Sequence, residues 1–329
     1  MLVRRTLTGI ARLAGVLAIV IVAFWIFAPV ERIKTVTFPA PALPADLDGY
    51  LREVERDVPQ LRPGAEKRIV WAGEEGTQTA LSVVYLHGFS ASSEEIRPVP
   101  DLVAQELGAN LFFTRLAGHG QDGNAMGRMR VDDWLADVGE ALAIGRRLGA
   151  RVLVIATSTG GTLATLAASN DQASETLAGV VLVSPNYALR NRIANTILRL
   201  PGLRWWGEIL AGPERSFEPV NAAHAQYWTT RYPSSAVFPM AAAMRSVHDA
   251  ELSAIDTPAL FLISEQDQVV SPDATRDIAA KWGGPVELRV QDTDGDGVDP
   301  YGHVIAGDIL SPALTQPVVD QILEWVRGL

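Results

Sequence analysis

From about residue 81 onward, short apolar runs alternate with amphipathic stretches. The runs are "LSVVYLH", "NLFFTRL", "RVLVIAT", "GVVLVSP", "PALFLIS" and "PVELRVQ"; between them lie helical patterns such as "VDDWLADVGEALAIGRRLG" and "PDATRDIAAKWG". Runs this apolar have no solvent-facing side, so they predict strands buried on both faces. Alternation with helices makes the sheet mostly parallel and doubly wound, an α/β fold. The rhythm breaks between about 187 and 254, where Trp205, Trp206, Trp228 and several prolines occur without a comparable strand run. That segment predicts a helical insertion standing off the sheet, within a globular domain spanning 64–329.

The N-terminus carries a different pattern. Arg4, Arg5 and Arg12 precede an uncharged stretch at 13–30, "LAGVLAIVIVAFWIFAPV". Spanning a bilayer takes about 20 apolar residues, so residues 1–30 are expected to form a transmembrane anchor helix. Pro29 directly after Ala28 argues against cleavage there, and a removed signal peptide is the alternative. The arginines would stay cytoplasmic and the remainder would be extracytoplasmic, periplasmic in a bacterium, although Arg32 and Lys34 weaken the bias. Residues 31–63 are rich in proline and charge and read as a stalk with one short helix around 47–57.

Composition narrows the chemistry. The chain has 329 residues, 48% of them hydrophobic, enough for a large core. Net charge is −10 with scattered Lys and Arg, which leaves no basic footprint for nucleic acid. Cysteine is absent, which excludes disulfides, thiolate metal sites and a cysteine nucleophile. Reactivity must come from serine, histidine and carboxylates.

Ser158, in "LVIATSTGGTLATLAA", lies where a β-branched run passes into a small-residue helical run. In parallel sheets that strand-to-helix junction faces the ligand site. A nucleophile there needs tiny neighbours two before and two after, so that strand and helix can approach, and Ala156 and Gly160 occupy those places. Ser158 is the one serine with glycine two residues later. Read as structure, it would be a helix N-cap.

A serine hydroxyl needs a histidine to take its proton and a carboxylate to orient that histidine, in chain order Ser, acid, His on such sheets. His303 in "DPYGHVIAG" is the histidine that comes after the last strands. Asp267 in "ALFLISEQDQVVSP" is the acid, with Glu265 in reserve. An oxyanion hole would take the backbone N–H of Phe89, after Gly88 in "VVYLHGFSASS", and that of Thr159, with His87 packing beneath. The acidic "DTDGDGVDPYGH" opens like a calcium loop, but its twelfth position is His303, so it reads as a solvated loop. No metal and no cofactor is required.

These stretches resemble the α/β-hydrolase fold family, in its monoacylglycerol lipase-like and bacterial carboxylesterase-like branch. "LHGFSAS" is similar to the oxyanion loop, "RLAGHGQDG" to the R-x-x-G-H-G loop, "ATSTGG" to the nucleophile elbow, and "SEQDQVVSP" and "GHVIAG" to the acid and histidine loops. Ala156 departs from the glycine usual before the nucleophile. The resemblance implies a Ser158–His303–Asp267 triad, a loop-supporting His119, and 187–254 as a lid whose aromatics line an acyl pocket or pack into the core. It also implies a membrane-anchored serine hydrolase that cleaves carboxylic esters, its partners being a small-molecule or lipid-derived ester and the membrane. The alternatives are an acyltransferase or thioesterase using the same triad, and a hydrolase-fold binding protein without chemistry.

Overall fold

The computed structural model describes residues 2–28, 31, 33 and 35–329. A seven-stranded sheet runs in the order β1-β3-β2-β4-β5-β8-β9. Its strands are β1 Arg68–Val70, β2 Thr79–Leu86, β3 Asn110–Phe113, β4 Gly149–Thr157, β5 Leu177–Val183, β8 Ala259–Ile263 and β9 Val286–Val290; the remaining pair is β6 Glu214–Ser216 and β7 Arg231–Pro233. All pairings from β3 across to β9 are parallel, and only β1 joins antiparallel, against β3. The six apolar runs all form strands. β1, three residues with no apolar run, carries no such signal and owes its place to the free edge of β3.

Both faces of the sheet are buried because side chains alternate along each strand. Val84, Leu86, Val154, Ala156, Val180, Leu182 and Phe261 face one core, with Trp134 and Leu142 of the helix Val131–Leu148. Val83, Tyr85, Leu153, Ile155, Val181, Val183, Leu260 and Leu262 face the other, with Val318, Ile322 and Trp325 of the helix Pro312–Arg327.

Residues 187–254 contain the helices Arg192–Leu198, Leu203–Ala211, Ala222–Tyr227 and Val237–Asp249. They also contain the antiparallel β6–β7 ribbon, which no strand-like run announces. The segment returns across the loop after β2, where Thr229 N–H donates to Ser90 O at 2.7 Å.

The N-terminal anchor expectation finds no support in the described residues. A helix forms over Leu2–Phe27, but among the described residues no helix is long and apolar enough to cross a membrane. Pro29, Val30, Arg32 and Lys34, and the side chains of Arg4 and Arg5, lie outside the described residues. The short helix forms at Leu47–Arg56, with the Asp46 carboxylate accepting from Gly49 N–H at 2.7 Å. It does not stand apart on a stalk. Leu47 and Leu51 are buried in the core beside the sheet, and Glu55 closes a buried bidentate pair with Arg115 at 2.8 and 2.9 Å.

Candidate active site

The loops at the carboxyl ends of β2, β4, β8 and β9 converge. Ser158 directly follows β4 and precedes the helix Thr159–Ala168, with φ 51° and ψ −115°. A positive φ is rare for a serine and costs on the order of 1–3 kcal/mol, which the surroundings must hold in place. They do so through Ser158 N–H to Val183 O at 2.9 Å and Asn186 N–H to Ser158 O at 3.0 Å. The helix can start this close to the sheet only because Gly160 has no side chain: a Cβ there would sit 2.2 Å from Leu86 O. Ala156, buried on β4 between Leu86 and Leu182, fits without displacement, since its methyl points into the core rather than into the turn.

His303 Nε2 lies 3.1 Å from Ser158 Oγ, and His303 Nδ1 lies 2.8 Å from Asp267 Oδ2. The second Asp267 oxygen accepts from the N–H groups of Val269 at 2.7 Å and Val270 at 2.8 Å, so the carboxylate cannot rotate away. Glu265, the reserve acid, points elsewhere, into an exposed pair with Arg276. Burial lowers the affinity of His303 for a proton. The Asp267 carboxylate outweighs it, helped by Asp299 and Glu95, so the imidazole's pKa is raised above its ordinary value.

Thr159 opens its helix, so its N–H belongs to the first turn, where the helix itself supplies no acceptor. Phe89 follows Gly88 in the loop after β2. His87 lies beneath that loop, with Leu116 N–H donating to Nε2 at 3.1 Å and Nδ1 meeting Gly88 O at 2.9 Å. This arrangement needs the neutral ring, and burial holds the pKa down at about 4. His119 is likewise buried and its pKa depressed by burial; its Nδ1 meets Ala117 O at 3.2 Å.

Two acids that sequence reasoning missed shape the site. Asp299, grouped with the solvated acidic loop, is buried, whereas Asp292, Asp294 and Asp296 are exposed as expected. Its Oδ2 accepts from the N–H groups of His303 at 3.0 Å and Val304 at 2.9 Å. The clue was its place four residues before the histidine in "DPYGH". Glu95 is buried under the loop after β2 and accepts from Gly88 N–H at 2.7 Å. No pattern marks it out from neighbouring Glu94.

The aromatics of the insertion divide between the core, the surface and the loop after β2. Trp228 is buried in the second core with its ring 4.6 Å from that of His224, and Trp205 is 61% exposed. Tyr232, on β7 of the insertion, reaches the loop after β2: its ring lies 5.1 Å from that of Phe89, which in turn lies 6.0 Å from that of His119. A cavity of about 250 Å³ beside the insertion is lined by Leu198, Leu203, Phe238, Arg130 and Arg245, and none of the three converging residues borders it.

The fold is that of the α/β-hydrolase class, and the relatives make the chain a serine hydrolase of the esterase and lipase type. Comparison with known proteins agrees: the chain belongs to the Hydrolase_4 family, described as serine aminopeptidase, S33, whose profile matches residues 77–293. It is 26% identical over 195 residues to the thermostable monoacylglycerol lipase of Bacillus sp. (strain H-257), covering 58% of this chain and 72% of that protein. Among solved structures it resembles one reported for LipS and LipT, two metagenome-derived lipolytic enzymes. That match has a TM-score of 0.64 at 20% identity and covers 82% of this chain and 100% of the other. It also resembles the monoglyceride lipase of Saccharomyces cerevisiae bound to a substrate analogue, with a TM-score of 0.57 at 12% identity, covering 80% and 93%.

Proposed function

We propose that the protein hydrolyses carboxylic esters, including lipid-derived monoesters of the kind named for its Bacillus relative, through Ser158, His303 and Asp267. The observation that carries the reading is the unbroken line from Ser158 Oγ through the His303 ring to Asp267, at 3.1 and 2.8 Å. Ser158 Oγ attacks the ester carbonyl while its proton passes to His303 Nε2. The negative charge that develops on the carbonyl oxygen is met by the backbone N–H groups of Phe89 and Thr159. The C–O bond to the alcohol breaks as Nε2 returns the proton to the leaving oxygen, leaving an acyl-Ser158. Water then attacks, giving its proton to Nε2, and the acid departs as Ser158 Oγ is reprotonated.

The test is labelling by a fluorophosphonate, which requires an activated serine, combined with turnover of p-nitrophenyl and glyceryl monoesters of increasing chain length. Labelling that disappears in Ser158→Ala, with ester turnover, supports the reading; an unlabelled parent protein sinks it. Adding competing alcohols separates hydrolysis from acyl transfer, and an aminoacyl anilide tests the peptidase activity that the family description names. Labelling without turnover of any ester would favour the thioesterase or transferase alternatives, and the absence of both would favour a binding protein. In this reading residues 187–254 act as a lid, supported by the packing of Tyr232 on Phe89.

We further infer that the N-terminal helix contacts a membrane through its exposed apolar side chains. Leu13, Val16, Leu17, Ile19 and Val20 are exposed, and the Phe24 ring meets Trp205, itself exposed near Ile209 and Leu210. Co-flotation of the full chain with vesicles, lost on removal of residues 1–30, is expected. Full-length protein that stays entirely with the soluble fraction refutes the contact.

A further inference from the structure

Glu95 is a buried carboxyl at the centre of the site that the triad chemistry leaves without a task. Its Oε2 accepts from Gly88 N–H at 2.7 Å and from the Tyr85 hydroxyl at 3.0 Å. The Tyr85 hydroxyl also lies 3.1 Å from Thr157 Oγ1, and Thr157 immediately precedes Ser158. The chain of contacts therefore starts at the nucleophile elbow, crosses from β4 to β2 through two hydroxyls, and ends on the backbone of the loop that carries Phe89. A point where a Cβ on Gly88 would stand lies 2.6 Å from Glu95 Oε1 and 3.1 Å from Ser158 Cβ. Carboxyl and nucleophile thus flank the same side of Gly88, and that residue must remain glycine for both to fit.

Resting on the hydrolytic reading above, we propose that Glu95 is a positioning residue: it closes a buried hydrogen-bond chain that locks the oxyanion loop to the nucleophile elbow at one fixed separation. An oxyanion hole built from two N–H groups on different segments works only if the segments keep their spacing, because donors must sit about 2.7–3.1 Å from where the oxyanion forms. Asp267 and Asp299 hold the histidine; nothing in the triad itself holds Phe89 relative to Thr159. Glu95 does, through its bond to Gly88.

The electrostatics add a second effect. Burial raises the Glu95 pKa to about 7, against the lowering effects of Gly88 N–H, Tyr85 and His303. The groups that face it are Tyr85 from β2 and His303 from its loop, with Asp267 and Asp299 behind the imidazole. Glu94 beside it is already paired with Arg68 and Arg97. Ionised, Glu95 supports the imidazolium form of His303. Replacing it with a neutral residue removes that support.

The experiment compares Glu95→Ala and Glu95→Gln in the full chain. Ala removes both bonds, so kcat on a soluble p-nitrophenyl ester should fall on the order of 10-fold or more, while KM moves by no more than about 3-fold. The Gln amide oxygen can still accept from Gly88 and Tyr85, so E95Q should recover most of the kcat lost in E95A. The acidic limb of its kcat/KM profile should move to lower pH, by about half a unit. Parental kcat in E95A, an E95Q as impaired as E95A, or an E95Q profile superimposable on that of the parent overturns the proposal. Should E95A fail to fold, Tyr85→Phe decides, since it removes the hydroxyl that links Glu95 to Thr157: kcat should fall with KM little changed, and parental kcat overturns the proposal. Fluorophosphonate labelling run alongside separates the two readings: an unlabelled parent sinks the hydrolytic reading, whereas labelled protein with parental kinetics in both variants sinks only the role of Glu95.

Discussion

Asp299 holds His303 by its main chain, accepting the backbone N–H at 3.0 Å, while a different acid, Asp267, holds the ring. The two carboxylates divide the work: one fixes where the histidine loop sits, the other which way the imidazole points. Asp299→Ala would strand the buried N–H groups of His303 and Val304, at a cost of about 1–3 kcal/mol each before the loop rearranges. Thermal unfolding should show a clear loss of stability, and kcat should fall with the displaced histidine. Asp299→Asn keeps one acceptor oxygen and should lie between. A variant with parental melting temperature and rate would contradict this role.

Ser158→Ala should lower turnover by on the order of 10³-fold or more, since no hydroxyl remains to attack. Ser158→Gly is equally inactive but differs in stability. Alanine keeps a Cβ at φ 51°, whereas glycine adopts that conformation freely. S158G should be the more stable of the two by up to about 1 kcal/mol, the relief of strain outweighing the extra freedom of its unfolded chain. Denaturant melts of the pair would check it; a less stable S158G would mean the turn is not strained.

Positions two either side of Ser158 should respond oppositely. Gly160→Ala drives a methyl to 2.2 Å from Leu86 O and 2.7 Å from His87 O, both backbone atoms that cannot step aside. Loss of labelling, with destabilisation of roughly 1–3 kcal/mol or more, is expected. Ala156→Gly only empties a small space in the core and should keep activity at a cost of about 1 kcal/mol. An active G160A would show that the elbow tolerates a wider turn.

His303 must be neutral to accept the Ser158 proton, and its pKa is raised by Asp267 despite burial. Activity should therefore be lost as pH falls through a value above the ordinary histidine pKa. Removing the carboxylate's charge in Asp267→Asn should move the limb to lower pH and cut kcat. The stability contribution carries the matching sign: a raised folded-state pKa stabilises fully below the unfolded value and is lost as pH rises through the folded one. Kinetic and melting profiles of parent and D267N would read both effects; a parental limb at or below the usual histidine value would contradict the shift.

Truncation distinguishes the two halves of the N-terminal region. Removal of residues 1–30 should leave the melting temperature of the domain nearly unchanged. Removal of 1–63 takes away Leu47 and Leu51 and leaves Arg115 buried without Glu55. Losing one partner of a buried pair costs several kcal/mol, so this form should be strongly destabilised or insoluble. Equal stability of the two would mean that the helix Leu47–Arg56 is dispensable.

The parallel sheet and the order of its strands' loops were legible because period and composition are local. A run such as "RVLVIAT" with no polar face has nowhere to go but between two layers, and tiny residues around Ser158 are a local demand of a sharp turn. That Asp267 and His303 would meet Ser158 could be read because this topology gathers the loops at the strands' carboxyl ends. The N-terminal region behaves in the opposite way. Nothing local in the proline-rich stretch 31–63 announces that its later part joins the domain: Leu47 and Leu51 enter the core and Glu55 reaches Arg115.

Contacts between residues far apart in the chain were beyond local pattern. Asp299 and Asp296 look alike in "DGDGVDP", yet one is turned inward to cap two amides and the other faces water. Glu94 and Glu95 are adjacent, yet one pairs with arginines at the surface and the other is sealed beside the nucleophile. Hydropathy assigns such twins the same value. Which of them is buried depends on whether a donor from another segment waits at that spot, and that is fixed only when the loops after β2, β4, β8 and β9 are brought together.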